Sequence, residues 1–251
     1  MKLSKTNKQG FEFLGKAVYF PEQEILAIGD LHLGYEYMLR EAGINLPLQQ
    51  IKNTINDIIK IINSIRISGR KVSKIIFLGD IKHYFAFHKG ERNLFLDLMQ
   101  EIEKHIKREN IIVIKGNHEK MENLADKHFL DFYIEKDLAF IHGDEPIKQA
   151  FSKEIKTIIM GHLHPAITIS DSQQIKSEKY KCFLVGDYKS KQVIILPSFL
   201  PLVEGTSVNE YLSDSSCMIP KDKLINFNVY AIGESSIYDF GKLKKLIRKR
   251  D

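Results

Sequence analysis

Histidine, aspartate and asparagine side chains recur in short glycine-bearing turns of this 251-residue chain. In chain order, the turns carry Asp30 and His32, Asp80, Asn117 and His118, His142, and His162 and His164. Imidazole, carboxylate and amide oxygen groups, with no thiolate among them, suit Mn²⁺, iron or Zn²⁺ better than Cu⁺. One such turn is weak evidence, but the ordered set contains the side chains that a site for two divalent ions requires.

The spacing within the turns fits a shared metal site. Residues i and i+2 of an extended segment point the same way, so Asp30 and His32 can offer two ligands to one side. His162 and His164 have the same spacing. Two ions about 3.5–4 Å apart need a bridging carboxylate. Asp80 is the candidate bridge, because it is alone in its turn between the other ligand groups.

Each of these turns follows a short apolar run that predicts a buried strand. The runs cover residues 25–28, 74–78, 111–114, 138–141 and 157–160. Apolar residues at helical spacing predict amphipathic helices over 48–68 and 91–108. Strands alternating with helices indicate an α/β architecture with a buried sheet. Because ligands gather at the carboxyl ends of strands in such sheets, we expect all five polar turns to meet at one edge.

Beyond residue 165 the pattern changes to strands without long helices between them. We predict a second, antiparallel or mixed sheet that packs on the first and contains residues 181–185, 192–196 and 228–232. Residues 11–20 are a candidate addition to this second sheet. A short basic helix is expected at 242–250, where it either contacts nucleic acid through phosphates or is a solvated helix end. No repeat or linker divides the chain, so we expect a single domain over residues 1–251.

Composition limits the classes of protein that fit this sequence. No apolar run approaches the roughly 18 residues that span a bilayer, and no secretory signal is recognisable, which predicts a cytoplasmic protein with no membrane partner. Two cysteines without metal-ligand spacing are expected to be ordinary thiols. The net charge of +5 permits an anionic substrate without requiring one.

The motifs GDLH (29–32), GD (79–80), GNHE (116–119), HG (142–143) and GHLH (161–164) together resemble those of the calcineurin-like metallophosphoesterases. The resemblance implies a four-layer αββα fold, in which a two-sheet β-sandwich is flanked by helices. It implies two divalent metal ions, of which manganese is expected and iron, zinc or nickel are alternatives. One ion would be held by Asp30, His32, Asp80 and His164, and the other by Asp80, Asn117, His142 and His162.

The same resemblance implies that His118 faces the substrate phosphate. It either protonates the leaving alkoxide or stabilises the equatorial oxygens of the phosphoryl group. Glu119, the next residue, either orients a ligand or is a helix N-terminal residue favoured by the macrodipole.

A narrower resemblance concerns DLHLGYE (30–36) and the Asp80–His83 turn, which are similar to SbcD-related phosphoesterases, including small archaeal and DNA-ligase-associated members. In nucleases of that branch a histidine three residues after the bridging aspartate helps to handle the scissile end. His83 has that position, and the alternative is a histidine of a solvated loop or one that only supports the site. LPSFLPLVEG (196–205) also resembles these members, with no role assigned.

The expected function is therefore a dinuclear phosphodiesterase that hydrolyses a nucleotide or nucleic-acid diester with a metal-bridging hydroxide. Its expected partner is a phosphate-ester substrate, such as a nucleotide or single-stranded nucleic acid. The alternatives are a phosphomonoesterase, a nucleotide pyrophosphatase, or a non-catalytic protein-binding scaffold of the same fold.

Overall fold

Two β-sheets pack face to face in the computed structural model, which describes residues 10–44, 50–85, 88–119, 123–171, 176–212 and 217–247. The first sheet has the strand order of the chain: β1 (Glu12–Leu14), β2 (Ala17–Phe20), β3 (Ile25–Ile28), β4 (Lys74–Phe77) and β5 (Ile111–Val113). Strands β1 to β3 are antiparallel, whereas β3, β4 and β5 are parallel.

The chain then forms a small hairpin, β6 (Asn123–Leu124) and β7 (Lys127–His128), and enters the second sheet. The strands of this sheet are β8 (Phe132–Glu135), β9 (Leu138–Ile141), β10 (Thr157–Met160), β11 (Pro165–Ser170), β12 (Ser177–Tyr188), β13 (Lys191–Ile195), β14 (Thr206–Ser207), β15 (Asn228–Ile232) and β16 (Ile237–Lys242). Its main path runs in the order β14-β11-β12-β13-β10-β9-β8, and β15 and β16 continue from β12. Strands β9, β10 and β13 are parallel, so the second sheet is mixed.

Helices cover the outer faces of the two sheets. The first sheet carries α2 (Gln50–Ile67) and α3 (Lys89–Glu103), and a short helix α1 (Tyr35–Glu41) follows β3. The second sheet is covered more thinly, by a 3₁₀ turn at Lys148–Phe151 and by α4 (Lys221–Leu224). This mixed α/β arrangement confirms the expected two-sheet sandwich flanked by helices.

Alternate residues of the central strands supply different parts of the core. Leu26 and Ile28 of β3 pack with Ile62 of α2 and Phe95 of α3. Ile25 and its inward-facing neighbours pack instead against the second sheet, in a cluster with Phe140, Ile159 and Ile194. Burying one such side chain contributes about 1.5–3 kcal/mol, so a strand that is apolar on both faces is stable only between two layers.

The five predicted strands do not share one sheet, which corrects the expectation. Strands β3, β4 and β5 lie in the first sheet, whereas β9 and β10 lie in the second. A parallel return to the same sheet needs a crossover of a dozen or more residues, usually a helix. The β6–β7 hairpin follows β5 in place of such a helix, and β8 pairs antiparallel with β9. The polar turns still meet, because both sheets end at the same side of the sandwich.

Other elements also differ from the prediction, and strand β12 is longer than the predicted run 181–185. The segment 11–20 forms β1 and β2 of the first sheet, because its hairpin pairs with β3. Helix α3 ends at Glu103, and a separate 3₁₀ turn, Arg108–Asn110, precedes β5. The basic segment is not a helix where it is described: β16 extends to Lys242 and one 3₁₀ turn, Leu243–Lys245, follows. The end of that prediction, residues 248–250, lies outside the described residues.

Candidate metal centre

The turns after β3 and β10 bring Asp30 and the two histidines of the GHLH motif together. Asp30 is fully buried, and its two carboxylate oxygens accept from the backbone N–H of His162 at 3.2 and 3.1 Å. His164 Nε2 lies 3.4 Å from Asp30 Oδ1 and 3.2 Å from His32 Nε2. A side chain at position 161 would place its Cβ 2.5 Å from Asp30 Oδ2, so this turn requires Gly161.

A second group forms around Asp80, at the end of β4. The His142 Nδ1–H donates to the carbonyl oxygen of Leu78 at 2.8 Å, which directs Nε2 into the cluster. His142 Nε2 lies 3.1 Å from Asn117 Oδ1, 3.1 Å from His162 Nδ1 and 3.5 Å from Asp80 Oδ2. The chain thus gathers ligands from both sheets within a few ångströms.

The structure brings all seven predicted ligands to one place. Among the described residues, three groups have ligand atoms that all lie within 4.8 Å of one another: Asp30, His32, Asp80 and His164; Asp80, His142 and His162; and His32, His83 and His118. The first two groups share Asp80, which is the position predicted to bridge. Asn117 adjoins the second group through His142.

The donor set fits divalent cations on grounds of charge. His142 Nε2 and Asn117 Oδ1 both present lone pairs at 3.1 Å, an arrangement that is repulsive unless a cation or proton lies between them. Asp30 and Asp80 are buried carboxylates, and no lysine or arginine of the described residues forms an ion pair with either. Buried carboxylates without a cationic partner are strongly disfavoured, so a bound metal would supply the missing charge.

The ionisation of the site follows the same electrostatics. Burial opposes the ionisation of Asp30, yet the adjacent imidazoles, of which His164 has the largest effect, hold the pKa of Asp30 well below its usual range. Burial raises the pKa of Asp80. Although burial favours neutral His142, the negative charges of Asp30 and Asp80 raise its pKa. The carboxylates therefore favour positive charge at His142, whereas burial lowers the pKa of His32 to about 3 and keeps that imidazole neutral, the form that binds a metal.

Four of the predicted ligand residues have left-handed backbone conformations. The φ angles are 44° at Asp80, 45° at His32, 63° at His162 and 47° at His164. Non-glycine residues with positive φ are uncommon and cost of order 1–3 kcal/mol in sparsely populated regions. The turns therefore hold these side chains at an energetic cost, which is typical of functional sites.

His118 and His83 lie on one side of the two ligand groups. His118 Nδ1 donates to the carbonyl oxygen of His83 at 2.5 Å, and its Nε2 faces the cluster, 3.9 Å from Asp80 Oδ2. The ring of His83 is 5.6 Å from those of His118 and His32, and its buried Nδ1 has no hydrogen-bond partner among the described residues. Phe85 stacks on His118 with 4.2 Å between ring centroids, and 48% of it is exposed.

Glu119 connects the turn after β4 to the turn after β5. Its Oε2 accepts from the backbone N–H of Asp80 at 3.0 Å and of Gly116 at 2.8 Å, and Oε1 accepts from Lys82 N at 3.1 Å. Burial, and then the charge of Asp80, raise the pKa of Glu119 to about 7. Of the two alternatives for Glu119, these contacts favour the one in which it orients the ligand turns.

Two further buried ionisable residues hold the loop of His83, and the sequence analysis missed both. Glu91 Oε1 accepts from the backbone N–H of His83 at 2.7 Å and of Tyr84 at 2.8 Å. Lys82 Nζ donates to the carbonyl oxygens of His118, at 2.9 Å, and of Tyr84. No sequence signal distinguishes Glu91, because an acidic residue in the first turn of a helix is ordinary.

The remaining histidines and both cysteines lie away from the ligand groups. His88 Nδ1 accepts from Glu91 N at 3.3 Å and so caps α3, while His105 contacts Arg66. Cys182 and Cys217 are free, and burial raises the pKa of both thiols. No helix in the described part of the chain has the length and apolar character needed to cross a membrane.

Comparison with known proteins assigns the family. The family model described as calcineurin-like phosphoesterase matches residues 24–218, which include every ligand turn. The chain belongs to the calcineurin-like phosphoesterase family. Members of this family use divalent metals to act on phosphate esters, which agrees with the charge and donor types of the site. By sequence, this calcineurin-like phosphoesterase matches no curated protein.

Comparison of this calcineurin-like phosphoesterase with solved structures gives one likeness that extends over nearly the whole chain. The nuclease MPE of Pseudomonas putida superposes with a TM-score of 0.62 at 17% identity, over 95% of this chain and 99% of that one. Vps29 of Entamoeba histolytica, complexed with Zn²⁺, gives a TM-score of 0.39 at 13% identity over 86% and 96% of the two chains. A protein of unknown function, AQ665 of Aquifex aeolicus, gives 0.37 at 17% identity over 56% and 78%. The first of these likenesses supports the shared fold.

Proposed function

We propose that the chain is a dinuclear, manganese-dependent phosphodiesterase that acts on nucleotides or single-stranded nucleic acid. The observation that carries the proposal is the pair of ligand groups that share Asp80. Asp30, His32, Asp80 and His164 would hold one ion, and Asp80, Asn117, His142 and His162 the other. Two such ions would supply a hydroxide nucleophile at neutral pH and would offset the charge of the transition state.

His118 is the residue that we assign to the substrate phosphate. Because its Nδ1 donates to the His83 carbonyl, Nε2 is directed towards the ligand groups. When Nε2 is protonated, it can donate to a phosphoryl oxygen, a role that typically contributes about 10²–10³ in rate. It can also pass its proton to the leaving alkoxide, which typically contributes about 10²–10⁴. The stacking of Phe85 on His118 limits the ring to one plane.

Two observations favour a diester that carries a nucleobase. The exposed ring of Phe85 offers a flat apolar surface next to the ligand groups, and such surfaces stack bases. The ring of His83 lies 5.6 Å from that of His118, which places it beside the ligand groups where a substrate end would bind. The similarity of DLHLGYE (30–36) to SbcD-related enzymes, and the likeness to a protein named as a nuclease, agree with this substrate class.

A panel of esters tests the proposal. Purified protein with added Mn²⁺ is assayed on bis-p-nitrophenyl phosphate, p-nitrophenyl phosphate, cyclic nucleotides, single-stranded and duplex DNA, and RNA. We expect hydrolysis of the diesters and of single strands, with little on the monoester. Turnover confined to phosphomonoesters would contradict the diester assignment, and no turnover of any ester with two Mn²⁺ bound would contradict the enzyme assignment itself.

A further inference from the structure

The segment 196–205, which links β13 to β14, lies directly behind the ligand turns. Leu196 N donates to the carbonyl oxygen of Met160 at 2.8 Å, at the end of the strand that leads into the GHLH motif. At the other end of the segment, Thr206 N donates to the carbonyl oxygen of His164 at 2.8 Å. The segment is therefore fixed at both ends to the strand and turn that carry His162 and His164.

The middle of the segment binds the backbone of Asp30. Phe199 N donates to the Asp30 carbonyl oxygen at 2.9 Å, and Ser198 Oγ donates to the same oxygen at 3.1 Å. The approach is close, since a Cβ at Gly29 would lie 2.5 Å from the carbonyl oxygen of Pro197. Any shift of residues 197–199 would consequently move Asp30.

Two lysines hold this part of the segment in place. Lys181 Nζ donates to the carbonyl oxygens of Ser198, at 2.8 Å, and of Leu200. Lys16 Nζ donates to the carbonyl oxygen of Phe199 and lies 4.6 Å from the centroid of its ring. Three successive carbonyl groups are thus bound by two ammonium groups, one from the β1–β2 turn of the first sheet and one from β12 of the second.

Burying these two lysine ammonium groups without a carboxylate partner costs free energy. Among the described residues, neither ammonium group forms an ion pair with a carboxylate within 4.0 Å. Burial lowers the pKa of Lys16 to about 8, and burial together with the charge of Lys16 lowers that of Lys181 to about 7. The charged form of each lysine is therefore less favourable here than in water. Their hydrogen bonds to carbonyl oxygens nevertheless fix the position of the backbone.

We infer that Lys16 and Lys181 are positioning residues, which clamp residues 198–200 against Asp30 and thereby hold Asp30 and His164 as ligands of one ion. The inference rests on the proposed function, since it concerns one of the two proposed ion sites. Asp30 and His164 belong to the same ligand group, whereas Asn117 and His142 lie in the other. The clamp should therefore affect one ion more than the other.

The test measures Mn²⁺ binding by equilibrium dialysis and elemental analysis over a wide range of free Mn²⁺, together with the Tm of the metal-free protein. Lys181→Met keeps the apolar stem and removes the donors. We expect it to weaken one Mn²⁺ binding step by roughly 10–100-fold, as for other residues that support metal ligands, and to leave the other step unchanged. The weakened step should be the one that His164→Ala removes and not the one that Asn117→Ala removes. Lys181→Arg should restore part of the affinity.

Lys191 provides a matched control in the same sheet. Its Nζ also donates to two backbone carbonyl oxygens, of Ser152 and Ile155, each at 2.6 Å, but these lie in the segment before β10 and away from the ligand turns. Lys191→Met should lower the Tm and leave both Mn²⁺ binding steps unchanged. If Lys181→Met fails to fold, Lys16→Met and Ser198→Ala test the same contact.

The possible failures can be told apart. Wild-type protein that binds two Mn²⁺, with a Lys181→Met variant that binds both with unchanged affinity, overturns the clamp and leaves the proposed function intact. Equal weakening of both steps in Lys181→Met and Lys191→Met also overturns it, because general destabilisation would then explain the result. Wild-type protein that binds no Mn²⁺ overturns the proposed function, and the clamp with it.

Discussion

Replacing Glu119 with glutamine tests whether the ligand turns depend on one buried carboxylate. Glu119 accepts three backbone N–H groups, from Asp80, Gly116 and Lys82, which belong to two different turns. An amide has one acceptor oxygen, so Glu119→Gln can keep the two bonds to Oε2 in neutral form. It must then turn an NH₂ group towards the backbone N–H of Lys82.

The expected cost follows from these contacts. At pH 6, below its pKa of about 7, Glu119 is largely protonated, and its hydroxyl oxygen can still accept from Lys82 N. An amide nitrogen cannot accept, so Glu119→Gln should destabilise the fold by roughly 1–3 kcal/mol at that pH. In a chain of this size each kcal/mol lowers the Tm by about 2–4 °C, which predicts a decrease of roughly 2–12 °C. Since Asp80 belongs to both ligand groups, we also expect about 10–100-fold weaker binding of Mn²⁺.

Calorimetry of the metal-free protein and Mn²⁺ dialysis measure the two effects separately. Glu22→Gln is the control, because Glu22 is exposed and its substitution should change neither quantity. A Glu119→Gln variant with the Tm and Mn²⁺ affinity of the wild type would refute the role of the carboxylate. A lowered Tm with unchanged Mn²⁺ affinity would refute the coupling between this carboxylate and the ligand turns.

Four further predictions follow from the site and the sheets. His118→Ala should retain two Mn²⁺ and lose about 10²–10⁴ in kcat, and unimpaired turnover at equal metal content would remove its assignment. Asp80→Ala should lose both ions, which elemental analysis would detect. Phe85→Ala should raise the KM for single-stranded DNA by about 5–100-fold, and the KM for an oligonucleotide with abasic sites beside the cleaved phosphate should not change. Equal effects on both oligonucleotides would exclude stacking. Phe240→Ala is the control, because Phe240 is also exposed. Hydrogen bonds from Lys74 and then Tyr133 lower the pKa of Glu135. The ionised carboxylate therefore stabilises the fold above pH 4.5, the unperturbed value, and this stabilisation is lost as pH falls through the lowered pKa. Glu135→Gln should cost about 0.2–1 kcal/mol at pH 7, and a loss that persisted in acid would contradict the ion pair.

Several elements of the fold could be predicted because their signals are local. The apolar runs at 25–28, 138–141, 157–160 and 228–232 match the observed strands at both ends. Each run is short, continuous and closed by a polar turn, so neighbouring residues suffice to define it. The amphipathic periodicity of α2 is likewise a local property, and its observed bounds, Gln50–Ile67, differ little from those predicted.

The elements that the sequence misplaced depend on long-range pairing. Nothing near residues 11–20 indicates that they pair with β3 and not with the second sheet, because that choice is made by contacts between distant segments. The division of the five strands between two sheets is of the same kind. It is decided by the direction in which the chain leaves β5, where a hairpin replaces the helix that a parallel crossover needs.

The sequence by itself determined the chemistry of the site, since residue type fixes which atoms can bind a metal and the order of the motifs indicates the family. Only the tertiary structure decided how those atoms are held. Backbone groups of other turns are the partners of Glu119, Glu91, Lys16 and Lys181, and a backbone N–H or carbonyl group has no signature in the sequence. These side chains fix the turns because they are buried. A buried polar group without a hydrogen-bond partner costs free energy, so each backbone group stays where its partner can reach it.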